Sequence, residues 1–80
     1  MINLKIISPV SKTEHQVVWL EANTPEGNFV IQPDHIPTTL VLSAGKDFMY
    51  CFQTGKHETI IPERGGILHV TRTEATVLLS

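Results

Sequence analysis

Short apolar runs alternate along the chain with clusters of turn-forming residues, and no segment shows the period of a helix. The first run is typical: Ile2, Leu4 and Ile6 alternate with polar residues, which indicates a strand that buries one face. Similar runs recur about every ten residues, a spacing that favours an all-β sandwich or barrel. The predicted strands cover residues 2–6, 15–22, 29–31, 39–43, 48–52, 57–61, 67–71 and 75–79.

The connections between these runs carry residue types that favour turns. Residues 24–28 and 53–56 each contain a glycine among polar residues, and the second segment is expected to join a hairpin. Pro33 and Pro37 bound a loop that we expect to be rigid, because the residue before a proline is pushed toward extended geometry. The pair Gly65-Gly66 lacks the glycine spacing and the following helix of a phosphate loop, so it predicts a bulge or a close backbone approach.

The run at 15–22 differs from the others because Val17, Val18, Trp19 and Leu20 are apolar in succession. One face of such a strand can fill the core, and we expect the other face to be covered by the second sheet or by a partner protein. Trp19 is expected to lie in the core. A partly exposed Trp19 would instead be a candidate anchor for a partner.

Composition and charge narrow the class of protein. The 80 residues give room for one domain with one core, and 41% hydrophobic residues predict that it folds. The net charge is −2 and the six basic residues are scattered, which argues against nucleic-acid binding because no patch could neutralise a phosphate backbone. No apolar run approaches the roughly 20 residues of a membrane span, and the first residues do not resemble a signal peptide. We expect a soluble intracellular protein that does not insert into the membrane.

Candidate catalytic and metal-binding residues are few. His15, His35, His57 and His69 show no paired spacing, so no metal site is predicted. His35 lies in the loop between two prolines, where its imidazole is expected either to bond a turn carbonyl or to contact a partner. Cys51 is the only cysteine, which excludes an internal disulfide, and without a local base or positive group we interpret it as a buried apolar residue. The sequence therefore predicts neither a catalytic site nor a cofactor site.

Three segments carry a family likeness. Residues 26–37, Glu-Gly-Asn-Phe-Val-Ile-Gln-Pro-Asp-His-Ile-Pro, resemble the family stretch E-G-E-F-G-I-L-P-G-H-A-P. Gly-Gly-Ile-Leu-His-Val at 65–70 and Ala-Thr-Val-Leu at 75–78 resemble its ending S-G-G-I-L-E-V and V-T-V-L-A, and residues 4–9 resemble its first strand. The chain is thereby similar to the N-terminal domain of the epsilon subunit of F-type ATP synthases, which is called delta in mitochondria.

The resemblance implies a flattened β-sandwich of about ten short strands, a single domain over residues 1–80. It implies a non-catalytic rotor subunit of the central stalk, without a cofactor, that docks on the gamma subunit and the c-ring. Such a subunit helps couple proton or sodium transport to ATP synthesis at the cytoplasmic face of the bacterial inner membrane, as a peripheral protein. The residues that match the family's partner-binding region are Glu26, Asn28, Phe29, Gln32, Asp34 and His35.

The chain also departs from the family pattern. Asn28 stands where an acidic residue is common, so one ion pair to a basic loop is expected to become a neutral contact. Val30 and Asp34 replace glycines, so the backbone is expected to have adjusted there. The sequence stops at Ser80, before the helical hairpin that follows this domain in the family, so either the subunit is short or the sequence is part of a longer one. If it is the whole protein, we expect no inhibition of the hairpin type. The alternative function is a free-standing β-sandwich binding module that has diverged from the family. Self-association of the isolated domain is also expected if its docking face is left bare.

Overall fold

A computed structural model describes residues 1–80 and shows nine strands and no helix, which confirms the predicted all-β fold. No helix of the structure is therefore long and apolar enough to cross a membrane. The strands are β1 (Ile2–Ile7), β2 (Lys12–Val17), β3 (Trp19–Thr24), β4 (Gly27–Ile31), β5 (Thr38–Leu42), β6 (Phe48–Cys51), β7 (His57–Ile60), β8 (Gly66–Val70) and β9 (Glu74–Leu79).

The strands form two sheets that face each other. Sheet A has the order β2-β1-β9-β8-β5, and sheet B has the order β4-β3-β6-β7. Neighbouring strands are antiparallel except β1 and β9, which run parallel in the middle of sheet A. The domain measures 28 × 26 × 19 Å, so its short dimension corresponds to two packed sheets.

The core lies between the inner faces of the two sheets. Along β1 every second side chain is buried, as the alternation of Ile2, Leu4 and Ile6 predicts. Sheet B contributes Leu20, Phe48 and other side chains from the opposite side. Burial of each large side chain favours folding by roughly 1.5–3 kcal/mol before conformational entropy is counted. The buried cluster comprises Ile2, Leu4, Ile6, Val17, Leu20, Ala22, Ile31, Leu42, Phe48, Tyr50, Leu68, Val70, Ala75 and Val77.

The prediction of one strand over residues 15–22 is wrong, because the chain changes sheets in the middle of that run. It leaves sheet A after Val17 and enters sheet B at Trp19. At the corner, the Val18 N–H donates to the carbonyl of Cys51 at 2.8 Å. The change of sheet allows Val17 and Leu20 to be fully buried although they are three positions apart. This explains why the run is apolar in succession.

Gly65 and Gly66 make the close backbone approaches that their sequence predicts. A Cβ at Gly65 would lie 2.8 Å from the carbonyl oxygen of Leu42, and Gly65 also has a φ of +74°. A Cβ at Gly66 would lie 2.6 Å from the carbonyl oxygen of Leu78. Both distances are too short for a real side chain, so the two glycines set the spacing of β8 against β5 and β9.

The connections collect at two opposite ends of the sandwich. The pairing registers place the β3–β4 turn at the same end as residues 8–11, 43–47 and 61–65. We refer to this as the β3–β4 end. The β4–β5 loop, residues 32–37, lies at the other end with residues 52–56 and 71–73, which we refer to as the β4–β5 end.

Candidate functional site

The outer face of sheet A carries an apolar row at its β3–β4 end. Val41 pairs with Ile67, Ile67 pairs with Leu78, and Leu78 pairs with Ile7, so the four side chains cross four strands side by side. Val41, Ile67 and Leu78 are 60%, 44% and 48% exposed. On each strand one adjacent residue is buried in the core, so these side chains point to the opposite, outer face. We call these four residues the apolar row.

The other half of the same face is polar. Thr39 pairs with His69, and its hydroxyl lies 3.0 Å from the His69 Nδ1. Lys5 on β1 approaches Glu74 on β9 at 3.9 Å, which is the only ion pair in the structure. An apolar centre beside a hydrogen-bonding border is the arrangement that protein interfaces show.

The outer face of sheet B carries an aromatic cluster that includes Trp19. The expectation that Trp19 lies in the core is therefore wrong. Trp19 is half-buried and points outward, because it precedes the inward-pointing Leu20 on β3. Its ring meets the His57 ring edge-on at 5.2 Å between centroids. Cys51 stands between them in register, and it is only 4% exposed. The sequence interpretation of Cys51 as a buried apolar residue is confirmed. The side chains beside it, Trp19 and His57, lie on the outer face of sheet B and not in the core.

A network of amides and one carboxylate lies on the same face, toward the β3–β4 end. The Asn28 Nδ2 donates to the Glu21 carboxylate at 2.8 Å and to the Asn23 side-chain oxygen at 3.1 Å. The Asn23 Nδ2 in turn donates to the carbonyl of Asp47 at 2.9 Å. These bonds join β4, β3 and the β5–β6 connection. Asn28 is therefore a structural donor as well as an exposed residue.

A polar cleft of about 430 Å³ opens beside this network. It lies between the β3–β4 turn and the β5–β6 connection, and its lining contains Asn23, Asn28, Lys46 and Asp47 but no hydrophobic residue. No three His, Cys, Asp or Glu side chains lie close enough together to hold a metal ion. Amides and hydroxyls in an open cleft can hydrogen-bond a polar loop, and none of them is paired with a base that could activate a nucleophile.

The six residues predicted to bind partners do not form one site. Glu26 and Asn28 lie at the β3–β4 end, whereas Gln32, Asp34 and His35 lie at the β4–β5 end. The full length of strand β4 separates the two groups. Phe29 lies on β4 between them and is 38% exposed.

The β4–β5 loop is ordered by its own backbone and by β8–β9. The Asp34 N–H donates to the carbonyl of Arg72 at 3.0 Å, and the His35 N–H donates to the carbonyl of Gln32. The His35 Nδ1 lies 2.7 Å from the carbonyl oxygen of Ile36, which confirms the turn-bonding interpretation of this imidazole. Asp34 has a φ of 65°, so the position keeps the left-handed geometry that suits glycine. Val30, by contrast, lies in a regular strand opposite Glu21.

One titratable group in the interior is perturbed. Burial raises the pKa of Tyr50 above its ordinary value, and the charge of Glu58 and a hydrogen bond to Glu58 act in the same direction. The Tyr50 ring stacks on His15 at 5.2 Å between centroids and meets Phe52 edge-on. Tyr50 is packed in the core and does not face the cleft, so we interpret this cluster as part of the packing between the sheets.

Comparison with known proteins gives a family and a fold. The family described as "ATP synthase, Delta/Epsilon chain, beta-sandwich domain" matches residues 1–80. A chain in the Euglena gracilis mitochondrial ATP synthase structure (OSCP/F1/c-ring) superposes with a TM-score of 0.89 at 20% identity, over 98% of this chain and 49% of that one. A chain in the Tetrahymena thermophila mitochondrial ATP synthase structure (central stalk/c-ring) gives 0.66 at 14% identity, over 98% and 62%. The present chain thus spans about half to three fifths of those chains. No curated protein sequence matches it closely enough to be reported as a relative.

Proposed function

We infer the function of this chain from one premise: it belongs to the ATP synthase delta/epsilon family through the β-sandwich domain of that family. We propose that it is a non-catalytic rotor subunit of the central stalk in an F-type ATP synthase. It binds the gamma subunit and the c-ring and helps couple ion translocation to ATP synthesis. In this role it is a peripheral protein at the cytoplasmic face of the bacterial inner membrane.

The apolar row is the observation that carries this proposal. Ile67, Leu78 and Val41 are aligned across three neighbouring strands and are about half exposed, whereas a globular domain usually scatters exposed apolar residues singly. Burying an exposed aliphatic row against a partner contributes about 25 cal/mol per Å² of apolar surface. We assign this row to the gamma subunit, because a rotor subunit needs a contact that holds under torque.

Five of the six residues that match the family's partner-binding region lie at the two ends of the sandwich. Glu26 and Asn28 project from the β3–β4 end, and Gln32, Asp34 and His35 project from the β4–β5 end. Two groups at opposite ends are too far apart to meet one small partner loop. We therefore propose that one group contacts gamma and the other contacts the c-ring, with Phe29 beside them on β4.

The test is a binding titration of the chain with purified gamma subunit. Ile67→Lys is expected to weaken binding more than tenfold, because it places an ammonium group in the centre of the apolar row. Thr59→Lys, an exposed polar position on the outer face of sheet B, is the matched control and is expected to bind gamma like the wild type. Circular dichroism should show that both variants keep the fold.

Two outcomes would contradict the proposal. No complex between wild-type chain and gamma at micromolar concentration would favour the free-standing binding module instead. If Ile67→Lys and wild type bound gamma with equal affinity, the apolar row would not be part of the interface. Sedimentation of the free chain is a companion measurement, since a bare apolar row predicts weak self-association that Ile67→Lys should abolish.

A further inference from the structure

We propose that strand β5, at the free edge of sheet A, accepts an extended segment of the gamma subunit as one further strand of that sheet. The inference rests on the proposed rotor function, which supplies gamma as the partner. It assigns a contact between backbones, beside the side-chain contact already proposed for the apolar row. None of the six residues that the sequence predicts to bind partners lies on β5.

The pairing of sheet A decides in which direction each backbone group of β8 points. The Thr71 N–H donates to the carbonyl of Glu74 at 2.8 Å, so these two residues form a hydrogen-bonded pair at the β8–β9 turn. Bonded and non-bonded pairs alternate along antiparallel strands. Leu68 and Val70 therefore direct their N–H and C=O groups away from β9 and toward β5.

The same alternation shows which backbone groups of β5 are free. Thr38 and Leu40, which pair with those two residues of β8, are bonded to it, so the N–H and C=O groups of Thr39 and Val41 point outward from the sheet. The Ser43 N–H points the same way and donates to the carbonyl of Asn23 in sheet B at 2.9 Å. The outward groups of Thr39 and Val41 have no such partner within the chain.

Strand β5 also lacks the residues that prevent strand addition at a sheet edge. Its five residues, Thr-Thr-Leu-Val-Leu, include no charge, no glycine and no proline. The opposite edge of the same sheet, β2, carries Lys12 and Glu14. Proteins use charged side chains and prolines to keep exposed edges from pairing. Of the two edges of sheet A, β5 is therefore the one that is open to another strand.

The apolar row reaches this edge. Val41 is the last residue of the row, lies on β5 itself and is 60% exposed. A partner that covers Ile67 and Val41 therefore extends to the edge of the sheet. The groups that it meets there are alternate N–H and C=O groups, and an extended segment is the structure that can bond to them. Strand β4 is also uncharged, but it belongs to sheet B and does not adjoin the row.

A second copy of the chain fits this edge less well than gamma. A twofold axis that joins two β5 strands edge to edge either reverses the direction of one strand or turns one sheet over. In the first case the two apolar rows lie at opposite ends of the joint sheet, and in the second they lie on opposite faces. Both rows then stay open. A segment of gamma has no such restriction, so one partner can cover the row and pair with β5.

The experiment measures amide hydrogen exchange of the full chain, free and in complex with purified gamma subunit, residue by residue. The amides of Thr39 and Val41 are expected to exchange at least about tenfold more slowly in the complex, because the added strand accepts their hydrogen bonds. Gln16 on β2 is the internal control. Its N–H points outward by the same alternation, counted from the Ser8–Ser11 bond, and its exchange is expected to stay unchanged.

Two proline variants separate strand addition from simple covering of the edge. Thr39→Pro removes an outward N–H without removing a bond to β8, and it is expected to weaken gamma binding by about tenfold. Gln16→Pro makes the same change at the opposite edge and is expected to bind gamma like the wild type. Circular dichroism checks that both variants fold. If either does not, the exchange measurement on the wild type decides.

The outcomes separate this inference from the rotor function. Unchanged exchange at Thr39 and Val41, in a complex that Ile67→Lys disrupts, would overturn strand addition and leave the rotor function standing. Equal gamma binding by a folded Thr39→Pro would do the same. Protection of these two amides in the free chain that increases with its concentration would assign the edge to a second copy instead of gamma. Failure of the wild type to bind gamma would overturn both proposals.

Discussion

The outer faces of the two sheets differ in how their apolar side chains are covered. Each sheet has one face outside the core, and both of these outer faces carry apolar residues. On sheet B, Trp19 and His57 close over Cys51, so the face covers its own apolar group. On sheet A, Ile67 and Leu78 stand in a row with nothing over them.

The contrast shows which apolar cluster is covered within the chain and which one is left open to solvent. A covered cluster contributes to the free energy of unfolding of the isolated domain. An open row contributes little until another surface covers it, and then its burial appears as binding free energy. The two clusters are thus expected to respond differently to mutation, the Trp19–His57 cluster in stability and the apolar row in affinity.

The largest effect is expected from Gly66→Ala, which disturbs the strand pair that carries the apolar row. The added Cβ would meet the carbonyl oxygen of Leu78 at 2.6 Å, and a backbone atom cannot move away cheaply. We expect a loss of about 3 kcal/mol in the free energy of unfolding, measured by urea denaturation. Gly27→Ala is the control, because nothing lies within 4 Å of a Cβ there, although its φ of +130° disfavours a side chain. Gly66 has no positive φ, so a loss for Gly66→Ala no larger than that for Gly27→Ala would contradict the close approach as its main cause.

A smaller effect is expected from Trp19→Ala, which removes the cover on sheet B. Loss of a half-buried indole should lower the free energy of unfolding by about 2 kcal/mol. It should also expose the Cys51 thiol, which is buried in the wild-type protein and is therefore expected to react slowly there with a thiol reagent. His57→Ala should produce the same exposure to a lesser degree. Unchanged thiol reactivity in Trp19→Ala would contradict the assignment of Trp19 as a cover and would reopen its role as a partner anchor.

The smallest effect is a pH dependence from the inner face of sheet B. The pKa of Tyr50 is raised in the folded protein, chiefly by burial and also by Glu58, so the folded state holds the phenolic proton more tightly than the unfolded state. Stability is therefore unaffected by this group below the ordinary tyrosine pKa and decreases as the pH rises above it. Urea titrations above pH 10 should show a steeper decrease for wild type than for Tyr50→Phe. Identical slopes would exclude this contribution.

Much of the fold could be predicted from residue periodicity, because a strand that buries one face must alternate. The pattern of Ile2, Leu4 and Ile6 is a local property, and so is the left-handed turn at Gly55, whose φ is 91°. The change of sheet at Val18 could not be predicted. It depends on a hydrogen bond to Cys51, more than thirty positions away, and a run of apolar residues is compatible with a straight strand as well.

The candidate site likewise has one part that the sequence predicts and another that only the structure shows. The sequence by itself determined that the chain forms an all-β domain, that no catalytic cluster is encoded nearby along the chain, and which segments resemble the delta/epsilon family. Only the tertiary structure decided that Val41, Ile67, Leu78 and Ile7 form one row, because the register of four strands brings them together. Only the structure decided, too, that Glu21 is bonded to Asn28, since side chains on neighbouring strands meet through pairing and not through sequence distance.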